Sequence, residues 1–175
     1  MGASSWHRRK TVMASTAPAP IRIELRSEGF DPYRELMGWP SADDGPKAPA
    51  EAVFIGRVRG QSDTGQALKA LELEHYPGMT ERQLRRLAEA SCADPAVRQV
   101  LVLHRIGRMA PGEAIVLVAV RAERRGPAQR CGQALLEALK HEAPFWKREW
   151  SGDGGSWVLG NTPLAEAEAP PNPGG

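Results

Sequence analysis

The sequence predicts an α+β fold: a mostly antiparallel sheet with flanking helices in one domain of ordinary size, 175 residues in all. Three observations predict it. Short runs rich in Val, Ile and Leu alternate with polar residues, two runs carry helical apolar spacing, and strand-like runs follow one another with turn residues between them.

Ile21–Leu25 alternates apolar and charged residues, a strand signal. Asp31-Pro32 opens a short helix, with Asp as the N-cap and Pro at the first helical position. Residues 38–50 (GWPSADDGPKAPA) hold three prolines and read as a loop. AVFIGRV (52–58) is a strand that ends in the basic turn Arg57-Val58-Arg59-Gly60, and GQSDTG (60–65) is a polar loop. ALKALELEHY (67–76) is a further strand. Thr80 caps a helix over TERQLRRLAEA, with Gln83 placed as in a capping box and Leu84, Leu87 and Ala88 as the apolar stripe. VRQVLVLHRI (97–106) and EAIVLVAVRA (113–122) form an antiparallel hairpin across GRMAPG. Residues 128–141 form a helix that Pro144 stops, with Cys131, Leu135, Ala138 and Leu139 on one face. FWKREW (145–150) and SWVL (156–159) close a last hairpin. Residues 1–20 and 162–175 are Pro-, Gly- and Ala-rich and read as disordered tails around a folded 21–161.

Composition narrows the function classes. A net charge of +2 means that any functional positive charge is local, built by clustering. No run approaches the ~18 apolar residues that span a bilayer, which argues against a membrane role. The N-terminus lacks the apolar core of a secretory signal; its basic, Ser-rich composition faintly matches a transit peptide, or an extension upstream of a start at Met13. Cys92 and Cys131 have no CxxC partner and no His at metal spacing, so they are expected to be free, partly buried thiols in a reducing, cytoplasmic setting, with no metal site.

Three blocks, LELEHYPGMTERQL (71–84), VLHRIGRMAPGEAIVLVAV (102–120) and LKHEAPFWKRE (139–149), resemble the signature blocks of the molybdopterin synthase catalytic subunit family. Their order and spacing fit as well, from AVFIGRVRG at 52–60 to SWV at 156–158, so that the resemblance covers about residues 21–161. The resemblance implies an α/β hammerhead-like fold with a small β subdomain, and a homodimer at the core of a heterotetramer. It implies a small ubiquitin-like sulfur-carrier partner whose C-terminal Gly-Gly, as a thiocarboxylate, threads into a pocket. Sulfur there passes to cyclic pyranopterin monophosphate, a pterin phosphate, and two transfers make the dithiolene of molybdopterin. No metal or organic cofactor is implied.

Carried over motif by motif, Lys140 and Lys147 are the catalytic residues. The substrate-binding set is Arg57, Val58 and Arg59 in the basic turn, Arg124 and Arg125, the two lysines, and Arg148 and Glu149 after Lys147. The chemistry accounts for these types. A cyclic phosphate calls for fixed cations and planar donors, and an ammonium beside the reacting carbon stabilises developing oxyanion charge. Without that context a lysine at a helix C-terminus is a solvated dipole partner. His75 and His104 are expected to be structural, Tyr76 and Trp146 packing residues, and Arg85-Arg86 a solvated helix face.

Two positions depart from the pattern. Arg124 stands where the family has a histidine before its arginine, and Asn161 stands where an arginine usually follows Trp-Val. These departures leave a second reading, a weakened homologue that binds the carrier or regulates assembly. A nucleic-acid role for RVRG and RAERRG is disfavoured by low net charge and few aromatics.

Overall fold

Alternation at the N-terminus becomes β1 (Ile21–Arg26), and the Asp31 carboxylate, accepting from the amides of Tyr33 and Arg34, caps α1 (Pro32–Gly38). The chain continues through β2 (Ala50–Arg57), β3 (Ala70–His75), α2 (Met79–Ser91), β4 (Val97–Arg105) and β5 (Gly107–Met109). It ends with β6 (Ala114–Ala122), α3 (Arg125–Glu142), β7 (Phe145–Ser151) and β8 (Gly154–Trp157). The structure is a computed structural model and describes residues 19–41, 47–152 and 154–158. Most of the two tails, Met13 and Asn161 lie outside the described residues.

The strands make two four-stranded sheets, ordered β1-β4-β6-β2 and β5-β3-β7-β8. Among the described residues only the β1–β4 pair is parallel, so the expected α+β class with mostly antiparallel pairing holds, and the second sheet is the small β layer. The pleat divides the first sheet's side chains. Val100, Val102, Val118 and Val120 pack with Leu84, Leu87 and Ala88 of α2 and Leu135 and Leu139 of α3. Leu101, Leu103, Leu117 and Ala119 face the other way, under Trp39, Phe30 and Leu36. Burial of each fully enclosed Leu stabilises the fold by roughly 1.5–3 kcal/mol, which is what holds α3 against the sheet.

Several expectations are corrected. The cysteines are not free: Cys92, at the C-cap of α2, and Cys131, in α3, form a disulfide with their Cα atoms 4.9 Å apart. The packing of α2 on α3 brings together residues 39 apart in sequence, which spacing rules cannot foresee. Thr80 does not cap α2. Gly78 does, at φ +78°, where a side chain would be strained, and its N–H donates to Glu81 Oε2 at 2.6 Å, so Glu81 rather than Gln83 closes the cap. Thr80 lies inside the helix, buried, accepting from the Tyr76 amide at 3.1 Å. GRMAPG is not a plain hairpin loop, because its first three residues form β5 and cross to the second sheet to pair with β3. That crossing is clamped by Arg105, 4% exposed, whose guanidinium donates to the carbonyls of Arg26, Ser27, Ile106 and Arg108. α3 starts at Arg125 rather than 128, since Pro127 falls within its first turn, where no helical N–H is lost.

Candidate functional site

A cleft of about 1010 Å³ opens where the C-terminal half of α3 meets β7, β3 and the turn after β2. β7 supplies it by alternation: Phe145, Lys147 and Glu149 line the cleft, while Trp146, Arg148 and Trp150 fall on the opposite face. Register sets Leu73 beside Lys147 and Leu71 beside Glu149, so these polar groups rise from an apolar wall. Lys140, exposed in the last turn of α3, enters from the other side. Arg57, Val58 and Arg59 complete the rim. At Gly56 the backbone approaches so closely that a Cβ would lie 2.8 Å from Val116 Cγ1, and the register shifts there before Arg57 turns away.

The turn is held rigidly. Val58 is buried, its N–H donates to Glu113 O at 2.9 Å, and its carbonyl accepts from Gly112 N at 2.7 Å. Arg57 Nη1 donates to Gly112 O at 3.1 Å. Arg59 Nη1 binds Asp63 Oδ1 at 2.5 Å, and that hydrogen bond, reinforced by the charge, holds the Asp63 carboxyl below the usual carboxylate range. Glu149 bridges two cations, with Lys147 Nζ at 3.0 Å and Arg59 Nη2 at 3.8 Å from its Oε1. Lys147 and Arg59 are therefore already partnered. Lys140 has no ion pair among the described residues, and Arg57 bonds only a carbonyl. The unneutralised charge available to an incoming anion sits on those two.

Of the sequence-predicted residues, Arg57, Val58, Arg59, Lys140, Lys147 and Glu149 share this cleft. Three do not. Arg124, the N-cap of α3, is exposed and outside it. Arg125 lines an adjoining groove of about 720 Å³ between β2 and the first turns of α3. Arg148, on the far face of β7, lies over Trp150 (4.4 Å) and Trp157 (5.3 Å). Nothing in the sequence signalled a site role for Asp63, Glu137 or Phe145, and His104 was expected to be structural, yet all four lie on the cleft wall. Tyr76 and Trp146 pack edge to face at 4.4 Å, and Arg85 and Arg86 are exposed on α2. Among the described residues no cluster of His, Cys, Asp or Glu could hold a metal, and no helix is long and apolar enough to cross a membrane.

Known proteins are similar to this chain in sequence and in fold. The family described as MoaE protein matches residues 29–142. The molybdopterin synthase catalytic subunit of Ralstonia nicotianae is 43% identical over 136 residues, 78% of this chain and 76% of that one. The molybdopterin biosynthesis MoaE protein of Burkholderia ambifaria superposes with a TM-score of 0.63 at 40% identity, covering 80% of this chain and 88% of its own. A complex of subunits 1 and 2 of the molybdopterin-converting factor of Helicobacter pylori contains a chain with a TM-score of 0.67. At 18% identity over 81% of this chain and 92% of that one, it speaks for the fold alone. By family and by fold, the chain belongs to the MoaE proteins.

Proposed function

We propose that this chain is the catalytic subunit of a molybdopterin synthase of the cytoplasm, and that sulfur is transferred in the cleft between α3 and β7. A small sulfur-carrier subunit threads its thiocarboxylate C-terminus there, and two copies of the chain form the centre of the assembly. The placement in the cytoplasm rests on the resemblance, because the argument from free thiols fell with the disulfide.

In the first step the thiocarboxylate sulfur attacks a ring carbon of cyclic pyranopterin monophosphate. A C–S bond forms as a C–O bond at that carbon breaks, the oxygen leaving with its electron pair as a phosphate oxygen or, protonated, as water, and the carrier is left joined as a thioester. Water then adds to the acyl carbon, the acyl–sulfur bond breaks, the carrier departs as a carboxylate, and sulfur stays on the pterin. A second loaded carrier repeats the sequence at the neighbouring carbon. Oxyanion charge develops at the acyl carbon during hydrolysis. Lys140, unpaired, supplies the ammonium that stabilises it, a kind of contact worth roughly 10²–10³ in rate. Lys147, fixed by Glu149 at 3.0 Å, orients the phosphate or the thiocarboxylate, and Arg57 adds a second free cation.

The observation that carries this reading is that Lys140 and Lys147, from a helix and a strand, line one cleft large enough for a peptide end and a small ring system. Reconstitution tests it. The purified protein, a thiocarboxylated carrier and cyclic pyranopterin monophosphate should together yield dithiolene product. A carrier that binds without product would turn the reading to the weakened homologue.

A further inference from the structure

His104 has no part in the steps above, yet its ring forms part of the cleft wall. It stands on β4 in the row of Val100 and Val102, facing the helices. The residue is 8% exposed, and its ring stacks on Phe145 with centroids 4.4 Å apart and planes 20° apart. Nδ1 lies 2.8 Å from the carbonyl oxygen of Arg105. A carbonyl can only accept, so Nδ1 carries the proton, and in the neutral ring Nε2 is left as an acceptor. Among the described residues nothing bonds to Nε2, and that atom is not sealed from solvent. The cavity that His104 lines is the cleft. Burial, only partly countered by the bond to Arg105, pushes the ring's pKa down to about 4, which keeps the acceptor neutral at ordinary pH.

We propose that His104 is a substrate-binding residue, its Nε2 accepting a hydrogen bond from a ring N–H of the heterocycle that occupies the cleft. This rests on the functional reading above and deepens it. The charged acceptors on the cleft wall are spoken for: Asp63 by Arg59, Glu149 by Lys147 and Arg59, and Glu137 by Gln133 and His141. A neutral acceptor suits a neutral N–H donor, and it repels neither the phosphate nor the thiocarboxylate as another carboxylate would. The lone pair lies in the ring plane, so its donor arrives edge-on, as a flat ring resting against Leu71, Leu73 and Phe145 would.

The test uses the complete complex with thiocarboxylated carrier and compares wild type, His104→Phe and His104→Gln. Phe keeps the stack on Phe145 and removes the acceptor, and Gln restores an acceptor oxygen. His104→Phe should raise the KM for cyclic pyranopterin about tenfold, the worth of one hydrogen bond, and leave the KM for the carrier unchanged. His104→Gln should recover most of the loss. A change in the carrier's KM instead would overturn the proposal in favour of a peptide N–H as the donor. Unchanged KM values in both variants, or equal losses in Phe and Gln with a matching fall in Tm, would overturn it in favour of a purely structural histidine. Wild-type turnover in the same assay tests the functional reading separately. Should wild type make no product, fluorescence titration of the pterin onto wild type and His104→Phe still decides the role of His104.

Discussion

Removing the Cys92–Cys131 disulfide should cost this protein much of its stability and little of its chemistry. The bond closes a loop with a sequence separation of 39 residues. In the chain-entropy treatment a loop of that length restrains the unfolded chain by about 4 kcal/mol at 25 °C. For a chain of this size each kcal/mol moves Tm by roughly 2–4 °C, so the expected drop is on the order of 10 °C. Both sulfurs are buried where α2 meets α3, and α3 also bears Lys140. The nine residues from Cys131 to Lys140 put about 13 Å of helix between them, too far for a direct effect on the cleft. The assay is a thermal melt followed by circular dichroism, on wild type with and without reductant and on the double variant Cys92→Ala/Cys131→Ala. Reductant should lower the wild-type midpoint and leave the variant's unmoved, while sulfur transfer at 25 °C stays within about twofold. Two titratable thiols in the unreduced, denatured wild type, or a melt indifferent to reductant, would refute the reasoning.

Two more predictions bear on the site's surroundings. The depressed pKa of His104 makes stability fall as pH drops from 6.5 towards about 4, because the unfolded imidazole takes up a proton that the folded one refuses. The full effect is about 3 kcal/mol, no more is lost on its account below that window, and urea melts of His104→Phe against wild type should show this part of the slope missing. Arg148→Ala should leave sulfur transfer unchanged, because the side chain faces away from the cleft, yet lower stability by about 1–2 kcal/mol through loss of its contacts with Trp150 and Trp157. A large fall in turnover would restore to Arg148 the substrate-binding role that the resemblance implies.

Local rules made much of the fold legible. Asp31-Pro32 marks a helix start because capping and proline geometry act within four residues, and the Val- and Leu-rich runs alternate because each strand has distinct faces. Contacts between distant segments were less legible. β5 is three residues in a Gly- and Pro-containing loop, and only pairing with β3 makes it a strand. The disulfide required knowing how α2 lies on α3. Within the site, a period of two along β7 could have separated Lys147 and Glu149 from Arg148 beforehand, had the strand's inward face been assigned. Nothing in a lone histidine on an apolar strand reveals that it lines a cleft. That depends on Phe145, contributed by another sheet, covering one side of the ring. The ion-pair pattern is likewise a product of geometry, since the sequence offers a crowd of cations and Glu149 neutralises two of them.

The most direct trial of this account is a single-turnover measurement on Lys140→Ala with saturating carrier and pterin. A free ammonium at the acyl carbon predicts a rate of sulfur transfer about 100-fold or more below wild type, with carrier affinity and Tm little changed. A variant that transfers sulfur at the wild-type rate would contradict it.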